Sequence, residues 1–115
     1  RLLGWVKDVA EFYNSLSLYV QPSRSEGFGI EVAEACAHGR AVLCSTGAGA
    51  ADLTHPWYRF KAGNVDELAD KISQVKIRGG CVGTGYPDWR GIAAAHTWDK
   101  IRERYKTLWK EVLGG

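Results

Sequence analysis

One stretch constrains this chain more than any other: Pro22 to Val42, PSRSEGFGIEVAEACAHGRAV. An apolar run, Leu18-Tyr19-Val20, precedes it and reads as a buried strand. The stretch turns through small and polar residues, enters a helix near Gly29 and leaves it at Gly39, where glycine suits the left-handed stop. A second apolar run, Ala41-Val42-Leu43-Cys44, follows at once. Strand, loop, helix, strand is a βαβ unit. Its loop and helix start carry two carboxylates, Glu26 and Glu34, and two glycines, Gly27 and Gly29.

That placement has chemical consequences. The amides of Gly27, Phe28, Gly29 and Ile30 fall at or just before the first helical turn, where N–H groups lack intrahelical partners. The helix dipole adds partial positive charge there. The glycines let another molecule approach the backbone. Such an end receives an anion, most simply a phosphate. Glu26 in the loop and Glu34 about two turns into the helix bracket it. Carboxylates do not take phosphate, but they accept hydrogen bonds from hydroxyls, and a bidentate carboxylate suits a vicinal diol. Phosphate at the amides and hydroxyls at the glutamates describe a nucleotide sugar.

Glu26-Gly27-Phe28-Gly29, Glu34-Ala35, Gly39 and Val42 resemble the Glu-x7-Glu motif of retaining GT-B glycosyltransferases of the large family-four, or group 1, type. Leu3-Gly4-Trp5-Val6 is similar to that family's preceding strand, Leu18 to Ser23 to its motif strand, and His96-Thr97-Trp98 to the start of its closing helix. The resemblance implies that Glu34 holds the ribose hydroxyls and that Glu26, at the catalytic end, contacts a donor-sugar hydroxyl. It also implies that the amides of Gly27, Phe28, Gly29 and Ile30 face sugar and diphosphate. Two positions depart from the family pattern. Glu31 stands where proline is usual, and Arg40-Ala41 where a Thr-Pro or similar pair is usual. Both lie beside the site, where they bear on donor preference.

Composition sets the outer bounds. At 115 residues, 45% apolar and 24% charged, the chain suits one small globular domain over 1–115. A net charge of +2 makes no case for nucleic acid. No run is long enough for a membrane span and no signal peptide opens the chain. Cys36, Cys44 and Cys81 are odd in number and lack metal-ligand spacing, so they read as thiols of a reducing, cytoplasmic compartment, with no metal and no cofactor beyond the nucleotide-sugar substrate. There is no methionine, even at position 1, so the natural protein is expected to be longer at its N-terminus.

The expected architecture is α/β, a partial Rossmann-like, doubly wound sheet of about four mostly parallel strands with flanking helices. Arg1 to Val6 is the first strand. Asp8 caps a short helix with Val9, Phe12, Tyr13 and Leu16 on one face. The motif core spans 18–45, its helix burying Ile30, Ala33, Cys36 and Ala37. Thr46 and Gly47 begin a second flexible loop at a strand's carboxyl end, where open parallel sheets bind ligands. They read either as phosphate or sugar contacts or as a plain turn. Asp52 to His55 suits one helical turn, and Trp57 to Lys61 a short fourth strand. Asn64-Val65-Asp66-Glu67 is a capping box opening a helix that turns Val65, Leu68, Ala69, Ile72 and Val75 inward and leaves its charges in solvent. Residues 78–88 form a glycine-rich loop whose Gly83-x-Gly85 lacks the strand a dinucleotide fingerprint requires. The closing helix, 97–112, is capped by Thr97 and striped by Ile101, Tyr105, Leu108, Trp109 and Val112.

The resemblance implies that the family's acceptor domain and the cations that neutralise its donor diphosphate lie upstream of Arg1. The expected function is therefore the nucleotide-sugar-binding part of a glycosyltransferase that transfers a hexosyl group with retention, inactive without a separate acceptor-binding, N-terminal-type domain. The alternative is a non-catalytic α/β interaction or oligomerisation module that keeps the motif by descent. In the doubly wound order the first strand would lack both its neighbours. The chain is thus expected either to re-pair Arg1–Val6 beside Leu18–Gln21 or to form a homodimer through that edge.

Overall fold

A computed structural model of the chain describes residues 1–77 and 88–114. Three parallel strands, β1 (Leu18–Gln21), β2 (Ala41–Ser45) and β3 (Arg59–Phe60), form a sheet in the order β1-β2-β3. Leu18 lies opposite Ala41 and Gln21 opposite Cys44; Cys44 in turn lies opposite Arg59. The helices are α1 (Val9–Ser15), α2 (Ile30–Ala37), α3 (Val65–Ile77), α4 (Trp89–Ala94) and α5 (Trp98–Val112), with two 3₁₀ turns at Gly49–Leu53 and Pro56–Tyr58. The fold is α/β, as the sequence leads one to expect, with three strands among the described residues where about four are expected.

The missing strand is the first. Arg1–Val6 takes no strand conformation and pairs with no strand among the described residues; Trp5 is 93% exposed. Its apolar residues match a strand pattern, but a strand is stable only beside another one. The expected re-pairing with β1 does not occur, although β1 is an edge strand. The absence of that neighbour also explains β1. All five residues of β2 are buried, whereas Leu18, Tyr19 and Val20 of the edge strand β1 are half-buried.

The core gathers Val32, Ala35 and Cys36 of α2, the whole apolar set of β2, and Tyr13, Ala48, Ala50, Tyr58, Phe60, Val75 and Trp89. The buried face of α2 thus differs from the expected one. Ile30 and Ala37 are exposed and Val32 and Ala35 take their place. The helix begins one residue later than a start at Gly29 assumes, and α4 and the sheet both press on it, so its inward arc is rotated. Gly39 stops it at φ +69°, as expected. Arg40, at a departure from the family pattern, donates to the carbonyls of His38 (3.0 Å) and Leu16 (3.0 Å), tying the ends of α1 and α2 together.

Around this core the sequence reading holds in part. Asp8 caps α1 through the Glu11 amide at 2.9 Å. Asn64 caps the Glu67 amide at 3.0 Å, but Glu67 reaches back to the Lys61 amide (2.9 Å) and not to Asn64, so the box is displaced by one loop. Of the expected inward face of α3, Val75 is buried and Leu68 packs against the core, while Val65, Ala69 and Ile72 are exposed. Its charges are not all solvated: half-buried Lys71 lies 4.9 Å from the Trp57 ring and donates to the Trp57 carbonyl. The expected turn at 52–55 forms earlier, at Gly49–Leu53, and the expected strand at 57–61 shrinks to Arg59–Phe60 because the 3₁₀ turn occupies Pro56–Tyr58. α4 was not foreseen. It sets Trp89 edge-on to Tyr58 at 4.8 Å. Thr97 stands at the start of α5 without a side-chain cap bond. Cys81 and the glycine-rich loop with Gly83 and Gly85 lie outside the described residues.

Candidate functional site

The loops leaving β1 and β2 at their carboxyl ends are laced together. The Glu26 amide donates to the Gly47 carbonyl (2.9 Å), the Gly49 amide to the Glu26 carbonyl (3.3 Å), and the Ala50 amide to the Phe28 carbonyl (2.6 Å). Glu26 and Ala48 pair as one isolated parallel bridge. Deeper in, the buried Ser45 hydroxyl donates to the Ser23 carbonyl and accepts from the Gly47 amide at 3.2 Å. The approach is close enough that a Cβ on Gly49 would overlap the Gly27 carbonyl, and one on Gly47 the carbonyls of Ser23 and Arg24.

This lacing leaves a particular set of groups unfilled. Gly29 caps α2 at φ +89°, a conformation other residues rarely take. Among the described residues, the amides of Gly27, Phe28, Gly29 and Ile30 donate to no protein acceptor. Open space surrounds the position a Gly27 Cβ would occupy, and the side chains of Phe28 and Ile30 are exposed. Thr46 and Gly47 are engaged otherwise. The Thr46 hydroxyl accepts from the Ala62 amide (3.2 Å), and both polar backbone groups of Gly47 take part in the lacing.

The two carboxylates have different settings. Exposed Glu26 accepts through Oε2 from Ser23 Oγ (2.9 Å) and Gln21 Nε2 (3.2 Å). Gln21 is itself buried and accepts from the Tyr19 hydroxyl at 2.6 Å, so Tyr19, Gln21 and Ser23 form a chain of hydrogen bonds ending on Glu26. Half-buried Glu34 accepts through Oε2 from the Tyr13 hydroxyl at 2.8 Å. Burial raises the pKa of both phenols. Glu34 adds to the effect at Tyr13, and Glu31 is the next cause at Tyr19, which is pushed up to about 12. The negative charges of Glu26 and Glu34 act on Tyr19 in the same direction. One carboxylate oxygen of Glu31, Oε2, is buried without a partner among the described residues.

Sequence reasoning named the carboxylates but missed these partners. Tyr13 counted only as apolar surface, although a buried phenol must find an acceptor. Gln21 counted as the end of a strand. Cys36 and Cys44 are both buried free thiols. Burial pushes the Cys36 thiol up to about 12 and the Cys44 thiol up to about 11, so both are protonated and inert near neutrality. Among the described residues no group of three metal-ligating side chains converges, and no helix is long and apolar enough to cross a membrane.

A family model described as glycosyl transferases group 1 matches residues 1–76, which covers both laced loops and both carboxylates. The chain belongs to that family. One similar protein is the lipopolysaccharide core biosynthesis mannosyltransferase LpcC of Rhizobium leguminosarum bv. viciae, 47% identical over 51 residues. The match takes in 44% of this chain and 14% of that mannosyltransferase, so the chain corresponds to a small part of its relative's length. No solved structure gives a significant match.

Proposed function

We propose that this group 1 domain binds the nucleotide-sugar donor of a glycosyltransferase. The observation that carries the reading is the run of unfilled amides, Gly27 to Ile30, at the start of α2 with a carboxylate on either side. In this reading the amides take the diphosphate, Glu34 the ribose diol, and Glu26 a hydroxyl of the transferred hexosyl group. Thr46 and Gly47 serve the same site by fixing the loop against which Glu26 is set. The similarity to a mannosyltransferase makes a mannosyl donor the first to try.

Transfer with retention would need cationic stabilisation of the leaving diphosphate, and losing such a group costs orders of magnitude in rate. No cation is hydrogen-bonded or ion-paired to Glu26 or Glu34 among the described residues. In this reading the domain holds the donor, and a separate acceptor-binding domain completes the catalytic site.

A second reading, an interaction or oligomerisation module, draws on other features. Among the described residues the outer edge of β1 has no neighbouring strand, and α5 exposes Trp98, Tyr105, Leu108 and Trp109. An open edge recruits a strand, and self-association through β1 would give the homodimer expected from the sequence.

Calorimetric titration with UDP, GDP and their hexose conjugates, on wild type and Glu34→Ala, tests the first reading. Saturable binding that the variant loses supports it. No heat with any ligand up to millimolar concentration, together with a dimer in sedimentation analysis, would put the module first.

A further inference from the structure

Tyr13 lies on α1, outside the motif. Its ring is 3% exposed, stacked on His38 at 5.2 Å and 16°, and edge-on to Phe12. Ring packing explains a buried aromatic there but not a hydroxyl. The hydroxyl ends on Glu34 Oε2 at 2.8 Å, while the nearby Glu31 carbonyl, at 3.5 Å, is at the outer limit of a hydrogen bond. No other side chain among the described residues hydrogen-bonds Glu34.

An ionised carboxylate offers about four lone-pair positions. Tyr13 fills one, leaving Oε1 and a second position on Oε2. A glutamate on an open helix face would sample several rotamers and lose that freedom when a ligand arrives. Here that freedom is reduced beforehand, because a phenol packed against His38, Phe12 and Tyr19 holds one carboxylate oxygen. His38 completes the support, with Nδ1 3.3 Å from Asn14 Oδ1 on α1.

We infer that Tyr13 is a positioning residue for donor binding, its hydroxyl holding the Glu34 carboxylate in the orientation that accepts a nucleoside's vicinal diol. The inference rests on the donor-site reading above. The opposite geometry, in which Tyr13 occupies the carboxylate and the ligand must displace it, predicts the opposite sign.

The test compares UDP and GDP with their 2′,3′-dideoxy analogues on wild type, Tyr13→Phe and Glu34→Ala, with thermal melting as a control for folding. The quantity read is the ratio of affinities, ribonucleotide over dideoxy analogue. Tyr13→Phe keeps the ring and should lower that ratio about five-fold, the size of one net hydrogen bond. A purely structural role would weaken both ligands alike and leave the ratio unmoved. An unchanged or higher ratio in Tyr13→Phe, with a lower one in Glu34→Ala, overturns the inference and leaves the donor site standing. An unchanged ratio in Glu34→Ala, or no binding by the wild type, removes the ribose assignment and the inference with it.

Discussion

β2 and α5 are both regular, apolar-patterned elements, and their fates are opposite. Every residue of β2 is buried; α5 buries none. β2 lies between two strands with α2 and α3 packed on it. The stripe of α5, from Ile101 through Tyr105, Leu108 and Trp109 to Val112, is as periodic as any in the chain, yet Trp109 is 62% exposed. An apolar period states that a face needs cover. Whether cover exists depends on what lies beside it. The same contrast separates Leu18–Val20, half-covered on β2, from the equally apolar Leu2, Leu3 and Trp5, which lie uncovered.

The contrast breaks most visibly at Leu43, fully buried in the centre of β2. Leu43→Ala should cost about 2–5 kcal/mol, a transfer loss plus an unfilled cavity. Urea unfolding measures it. A loss under about 1 kcal/mol would mean that the centre is loosely packed and the contrast with α5 is false. Next comes Gly49, whose Cβ would enter the Gly27 carbonyl. Gly49→Ala should cost about 1–3 kcal/mol by overpacking. It should also speed hydrogen exchange at the Glu26 and Ala50 amides, which cross between the loops. Unchanged exchange there would show that the lacing does not depend on close approach.

How much of this was legible follows from the same physics. The βαβ core could be read because its signals are local: two apolar runs, a glycine stop at Gly39, a glycine start at Gly29. Glu26 and Glu34 could be read from their place beside that start. The first strand could not, because Leu3 to Val6 has strand composition and strand existence depends on a neighbour. The inward face of α2 was missed because its rotation is set by α4, whose Trp89 no pattern announced. The hydrogen bond from Tyr13 to Glu34 was missed because the two residues lie 21 positions apart. Contacts across such separations are made by packing, and composition and spacing do not encode them.

A smaller effect tests the buried side by titration. Burial holds Cys36 up to about 12 and Tyr19 up to about 12, against ordinary values of 9.0 and 10.0. Such groups keep their protons in the folded chain after the unfolded chain has lost them. Their contribution to stability is thus present below the unfolded values, near 9 for Cys36 and 10 for Tyr19, and is lost as pH rises toward the folded values near 12, at roughly 1 kcal/mol per pH unit for each group. Cys36→Ala should flatten that slope between pH 9 and 11. A slope equal to that of the wild type would mean that water reaches Cys36.

The smallest expected effect belongs to α5. Trp109→Ser removes a large apolar side chain from the stripe, and in a core position the loss would be about 3–5 kcal/mol. Here the ring already faces water, so the expected change is within about 0.5 kcal/mol, helix propensity included. Unfolding at two protein concentrations a hundred-fold apart sharpens the result. A small change at both concentrations means that α5 is uncovered in the chain by itself, and that Leu43 and Trp109 differ only in their neighbours. A large loss confined to the higher concentration means that a second copy covers the stripe. That would place β2 and α5 on the same footing, each buried by a partner, one within the chain and one between chains.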